Sequence, residues 1–167
     1  MLPPKLILAP IDFSDFSREA IDVAAEMASR FGATLLLVHV VPAVSGLPRD
    51  VSLFKEGEYE RQTHDAAEKQ LSELAAALAN KNITVRTEVG TANDVGMELV
   101  RIAEQDHVDM IVIATHGMTG WRLIPFGSVT KKVVEEAACP VLVLRAKAAG
   151  DAAEPPAHSS SASATAS

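Results

Sequence analysis

The chain has 167 residues, 48% of them hydrophobic but only 4% aromatic, so it has room for one domain and a tail, with a core of Val, Leu, Ile and Ala. Its net charge of −7 repels nucleic-acid phosphate and anionic lipid, which argues against general binding to either. A single cysteine, Cys139, excludes an intrachain disulfide and fits a reducing compartment.

The opening segment, MLPPKLILAPIDFSD, has no long apolar run before charge and turn residues, so no secretory leader is expected. No stretch approaches the roughly 18 apolar residues of a membrane span. A cytoplasmic protein with no membrane partner is the expectation. Lys5 to Ile11 reads as a short buried strand. Phe16, Ala20, Val23, Ala24, Met27 and Phe31 then recur at helical spacing, with Ser14 or Ser17 as cap and Gly32 as the stop. Thr34 to Val41 is a second apolar strand. Pro42 to about Glu58, with Gly46, Pro48 and Gly57, reads as a long irregular connection. Thr63, Ala67, Leu71, Leu74 and Leu78 mark a second helix.

Ile83, Val85, Thr87 and Val89 alternate with Thr84, Arg86 and Glu88, a period of two that suggests an edge strand with one wet face. Val95, Leu99, Ile102 and Ala103 give a third helix, with Asn93 as its expected cap. Asp109 to Thr115 is a fully apolar strand. After a turn-rich loop, Val129, Val133, Val134 and Ala137 give a fourth helix, stopped by Pro140, and Val141 to Arg145 is the last strand. The domain is expected over residues 1–146. Residues 147–167 are Ala/Ser-rich and lack large apolar side chains, which predicts a disordered tail.

Short apolar strands alternating with helices predict an α/β fold, a doubly wound five-stranded parallel sheet with helices on both faces. Right-handed crossovers favour strand order 3-2-1-4-5, with a switch point between the first and fourth strands. Ligands of such sheets bind at the carboxyl ends of the strands there, which places Pro10-Ile11-Asp12 beside Ala114-Thr115-His116-Gly117.

The segment ATHGMTGWRLIPFGSVTKK, Ala114 to Lys132, follows a strand and opens a helix. A helix start presents unpaired N–H groups and partial positive charge, a natural seat for phosphate. Gly127 lets the backbone approach an anion, Ser128 and Thr130 offer hydroxyls, and Lys131 and Lys132 add positive charge. The bland alternative is that the glycines only make turns and Ser128 only caps the helix. The segment holds neither a Walker A nor a GxGxxG pattern. No His/Cys/Asp cluster with metal-ligand spacing is evident, so no structural metal is expected. Asp12 is read as a ligand contact or as a strand-end turn carboxylate, His39 as a satisfied core histidine, and His116 as a phosphate contact or a solvent-facing loop residue. Trp121 is read as a packing anchor or part of a lid, and Cys139 as a small buried apolar residue.

The same segment resembles the universal stress protein (UspA-like) signature G-x2-G-x9-G-[ST], with Gly117, nine residues, then Gly127-Ser128, and Ala114 in place of the first glycine. KLILAPIDFSDFSREAI, LLLVHVV, DMIVIATHG and CPVLVLR resemble the family's other segments, over about residues 4 to 146. The resemblance implies an adenine nucleotide alpha hydrolase-like fold that binds ATP, with Mg²⁺ arriving on its phosphates. It places Asp12 and Val40 at the adenosine, Ala114 near the ribose, and Gly117, Gly127, Ser128 and Val129 at ribose and phosphates; Pro10, His116 and Thr130 complete the expected site. It also implies a homodimer through Val141 to Arg145, against the alternative of an edge shielded by the tail. The implied activity is that of a stress-response regulator with little or no hydrolysis, because no general base, arginine finger or P-loop lysine is evident. Ser128 or Thr130 would accept a phosphoryl group if the chain modified itself. The alternatives are a dimeric interaction module that binds no nucleotide and a true nucleotide hydrolase.

Overall fold

The computed structural model describes residues 3–43, 49–115 and 127–145. Along the chain these form β1 (Leu6–Pro10), α1 (Asp15–Phe31), β2 (Thr34–Pro42), α2 (Arg49–Ala79), β3 (Thr84–Ala92), α3 (Val95–Gln105), β4 (Met110–Ala114), α4 (Ser128–Glu136) and β5 (Val141–Leu144). The strands make one sheet in the order β3-β2-β1-β4-β5, and every pairing is parallel. This is the doubly wound order that the alternation of strands and helices predicts.

Strand parity divides the core between the two faces. On one face Ile7, Ala9, Leu35, Leu37 and Val112 pack with Ile21, Ala24, Ala25 and Ala28 of α1 and with Leu71 and Leu78 of α2. On the other, Leu8, Leu36, Val38, Ile111 and Ile113 pack with Leu99, Val100, Ile102 and Ala103 of α3 and with Val133 of α4. β1, β2 and β4 are therefore covered on both sides, which is why they read as unbroken apolar runs. Each fully buried Leu or Ile contributes about 1.5–3 kcal/mol by leaving water. Alanines on the buried face of α1 let it lie close to the sheet.

The ends of α1 follow from its sequence. Ser14 Oγ accepts the N–H of Ser17 at 3.2 Å, and Asp15 and Arg30 suit the two ends of the helix dipole. Gly32 takes the left-handed conformation at φ 65°, and the N–H of Ala33 returns to the Ala28 carbonyl at 2.9 Å.

Several expectations are corrected. The chain is helical from Arg49, not irregular to Glu58: Gly57 lies within α2, where its unfavourable propensity of about 1 kcal/mol is outweighed by the rest of a long helix. The cap of α3 is Asp94, not Asn93; its carboxylate accepts the N–H of Met97 at 3.0 Å. α4 ends at Glu136, before Pro140 and with Ala137 outside it. Phe31 and Val134, placed by spacing on core faces, are 45% and 48% exposed. The tail, together with Gly46, Pro48 and Trp121, lies outside the described residues. No helix among the described residues is long and apolar enough to cross a membrane.

Candidate functional site

The parallel sheet brings all its carboxyl ends to one rim. There β1 stands between β2 and β4, and the chain leaves two neighbouring strands for opposite faces, from β1 into α1 and from β4 into α4, opening a crevice. A cavity of about 310 Å³ occupies it. Its floor is Pro10 at the end of β1 with Ile11 and Asp12 just beyond it, His39 and Val40 of β2, and Ile113 and Ala114 of β4. Val95 and Leu99 of α3, Ser17 of α1, and Gly127 to Thr130 at the start of α4 complete the lining.

Of the expected site residues, Pro10, Asp12, Val40, Ala114, Gly127, Ser128, Val129 and Thr130 all line this one cavity. His116 and Gly117 lie outside the described residues. Ile11, Ser17, Val95, Leu99 and Ile113 line it without having been expected, and His39 lines it as well as packing. The helical stripe of α3 carried the signal for Val95 and Leu99: its upper end overhangs the strand tips.

The start of α4 has the donor chemistry for an anion. Gly127 is the N-cap, with no side-chain cap bond, at φ −64° and ψ 159°. The intrahelical ladder begins with the N–H of Lys131 on the Gly127 carbonyl at 2.9 Å, so the amides of Ser128, Val129 and Thr130 precede any intrahelical acceptor. A Cβ built on Gly127 would meet the Thr115 carbonyl only at ordinary contact, 3.4 Å, and its φ suits any residue. The protein therefore has no steric need for glycine here, whereas a ligand lying on the helix start would.

Three of the side chains expected to serve a ligand already have partners within the protein. Thr130 is buried, and its Oγ1 donates to the Ala114 carbonyl at 2.8 Å, so the hydroxyl ties α4 to β4. Lys131 and Lys132 face Glu135 and Glu136 at 3.7 Å each, which offsets the positive charge they were expected to bring. Ala114 ends a regular strand opposite Leu144, where alanine is accommodated without a left-handed backbone.

Asp12 serves as a turn carboxylate. Its Oδ1 accepts the N–H of Ser14 at 3.1 Å and the Ser14 hydroxyl, so the same serine that caps α1 also fixes the acid. His39 Nδ1 lies 2.7 Å from the Ile11 carbonyl; a carbonyl only accepts, so Nδ1 is the donor. Cys139 is half-buried against the α3/α4 core, and burial pushes its thiol pKa up. One grouping escaped the sequence reading: His64, Asp65 and Glu68 on α2 bring ligand atoms within 4.8 Å of one another. They do not line the cavity, and His64 already faces Glu68 at 3.7 Å.

Comparison with known proteins agrees with this architecture. The model of the universal stress protein family matches residues 4–145. Universal stress protein MJ0531 of Methanocaldococcus jannaschii is 36% identical over 144 residues, spanning 84% of this chain and 82% of that protein. Universal stress protein A homolog 1 of Coxiella burnetii is 35% identical over 147 residues, spanning 84% and 95%. The solved structure of MJ0577, described as a structure-based assignment of biochemical function, superposes with a TM-score of 0.76 at 26% identity, covering 88% of this chain and 99% of the other. Two more distant structures share the fold: an Archaeoglobus fulgidus universal stress protein in complex with dAMP (TM-score 0.58, 21% identity, 86% and 98% covered) and a universal stress protein in complex with cAMP (0.59, 17%, 85% and 97%). With its sheet order, its glycine-serine helix start and a family match over residues 4–145, the chain belongs to the universal stress protein family.

Proposed function

We propose that the crevice binds ATP or a related adenine nucleotide, and that the protein acts as a stress-response regulator with little or no hydrolysis. The observation that carries this reading is the start of α4, which has no side-chain cap bond and whose residues Gly127 to Thr130 line the same cavity as the β1 and β2 tips, with no steric need of the protein's own for glycine at 127. Phosphate would meet the amides of Ser128, Val129 and Thr130. The apolar floor near Val40 and Leu99 suits a base, and Asp12 suits a ribose hydroxyl. Mg²⁺ would come with the phosphates. Relatives of this fold that hold dAMP and cAMP support an adenylate in particular. The cytoplasm is the compartment that supplies such ligands.

The test is direct. Freshly purified protein is denatured and any released nucleotide identified; the emptied protein is then titrated with ATP by calorimetry. Saturable binding, lost in Asp12→Ala and in Gly127→Val, is expected. No carry-over and no binding at about millimolar ATP, the weak end of functional affinities, would overturn the nucleotide reading and favour the interaction module.

A homodimer through β5 belongs to the same proposal. β5 is an outer strand of the sheet, pairing with β4 alone, and its four residues are all half-buried. Apolar side chains on an open edge invite a second strand, and a two-fold pairing would close it. Sedimentation at micromolar concentration is expected to give twice the chain mass; a monomer there would sink this part alone.

A further inference from the structure

Ile11 lies one residue beyond β1, and β2 holds both of its backbone polar groups. Its N–H donates to the Val38 carbonyl at 2.9 Å, and its carbonyl accepts Nδ1–H of His39 at 2.7 Å. Two residues on, Phe13 has φ 63°. For a bulky side chain this left-handed backbone is an outlier that persists only where its surroundings hold it. The Phe13 ring lies 4.7 Å from the His39 ring, tilted by 40°. Between these two anchored residues stands Asp12, whose carboxylate is turned onto Ser14. One imidazole thus grips the chain on both sides of the acid, by a hydrogen bond before it and by ring contact after it.

We propose that His39 is a positioning residue for the crevice: it clamps the β1–α1 turn in the strained conformation that aims Asp12. A histidine that merely filled the core would leave the turn indifferent to the donor at Nδ1. The expected effect on affinity rests on the nucleotide reading above, whereas the clamp itself can be read without any ligand.

Amide hydrogen exchange of nucleotide-free protein reads the clamp. His39→Leu is expected to raise exchange at Ser14 about tenfold, the net worth of roughly one hydrogen bond, while Leu8 and Leu36 in the sheet stay protected. His39→Asn places an amide nitrogen where Nδ1 stood and should recover most of the protection. His39→Asp has the same shape without the donor and should not, and this pair carries the comparison if the Leu variant fails to fold. In ATP titrations His39→Leu should weaken binding about tenfold, His39→Asn should restore it, and the loss should be non-additive with Asp12→Asn because both act through one carboxylate. Unchanged exchange at Ser14, a uniform rise across the sheet, equal behaviour of the Asn and Asp variants, or strictly additive losses would each overturn the clamp. If the unaltered chain binds no ATP, the nucleotide reading falls, and the exchange comparison still decides whether His39 holds the turn.

Discussion

Replacing Thr130 by Val separates a structural hydroxyl from a ligand hydroxyl. The side chain is 4% exposed, and its Oγ1 donates to the Ala114 carbonyl at 2.8 Å. Valine keeps the shape but offers a methyl group to that buried oxygen. Withdrawing a partner from a buried polar group costs about 1–3 kcal/mol, and the added apolar carbon returns at most about 0.8 kcal/mol. A net loss of about 1 kcal/mol, within the roughly 0.2–2.2 kcal/mol these terms leave, is expected, or about 3 °C in Tm at the roughly 3 °C per kcal/mol of a domain this size. Thr130→Ser keeps the hydroxyl and gives up only a methyl group, so it should lie between the two. Thermal unfolding of nucleotide-free protein measures the order, and ATP titration of the same samples measures function. If the valine variant melts with the parent while losing affinity, the hydroxyl belongs to phosphate and the tie between α4 and β4 is the wrong account.

Gly127→Ala should cost no more than about 1 kcal/mol of stability, the N-cap preference, because φ is −64° and the new Cβ meets only the Thr115 carbonyl at 3.4 Å; ATP affinity should nonetheless fall at least about tenfold, as titration beside unfolding will show. Gly96→Ala should destabilise by about 1–2 kcal/mol in urea unfolding despite its better helix propensity, because the new Cβ would sit 2.7 Å from Cβ and Cγ of Lys132 and force α3 from α4. The hydrogen bond from Arg101 holds the Glu98 pKa below its usual value, against opposing desolvation. The stability this adds is present above the ordinary carboxylate range and is lost as pH falls through the lowered pKa. Arg101→Ala should therefore cost less than about 1 kcal/mol near neutral pH in low salt and nothing in acid; an undiminished difference at low pH would refute the linkage.

The architecture was legible because burial on both faces leaves uninterrupted apolar runs. Leu8 and Ile7 face opposite cores, and neither position tolerates a polar residue. The crevice was legible for a related reason: sheet order alone brings Pro10, Asp12 and Ala114 to one rim, and the glycine-serine pair marks where α4 starts. What sequence did not disclose was the direction of polar side chains. Nothing in the string shows that the Thr130 hydroxyl turns back to Ala114, or that His39 reaches a carbonyl 28 positions away. Local competition misled at Asn93, where the neighbouring Asp94 reaches the third amide of the helix instead. The start of α2 was misread because Gly46, Pro48 and Gly57 outvote their helix-forming neighbours locally. Helical spacing alone put Phe31 and Val134 on the core side, whereas the buried arc of α1 is the narrow run of alanines around Ile21.

Two bonds bring together the residues on either side of the insert formed in sequence by positions 116–126. Gly127 N–H meets the Thr115 carbonyl at 2.8 Å, and Thr130 meets Ala114 at the same distance, so the stretch leaves and re-enters the frame at adjacent points. Closing a loop between fixed posts depends only on the logarithm of its length; doubling the insert would cost only about 0.6 kcal/mol. A change in the number of residues between those posts therefore leaves the register of the sheet beneath untouched.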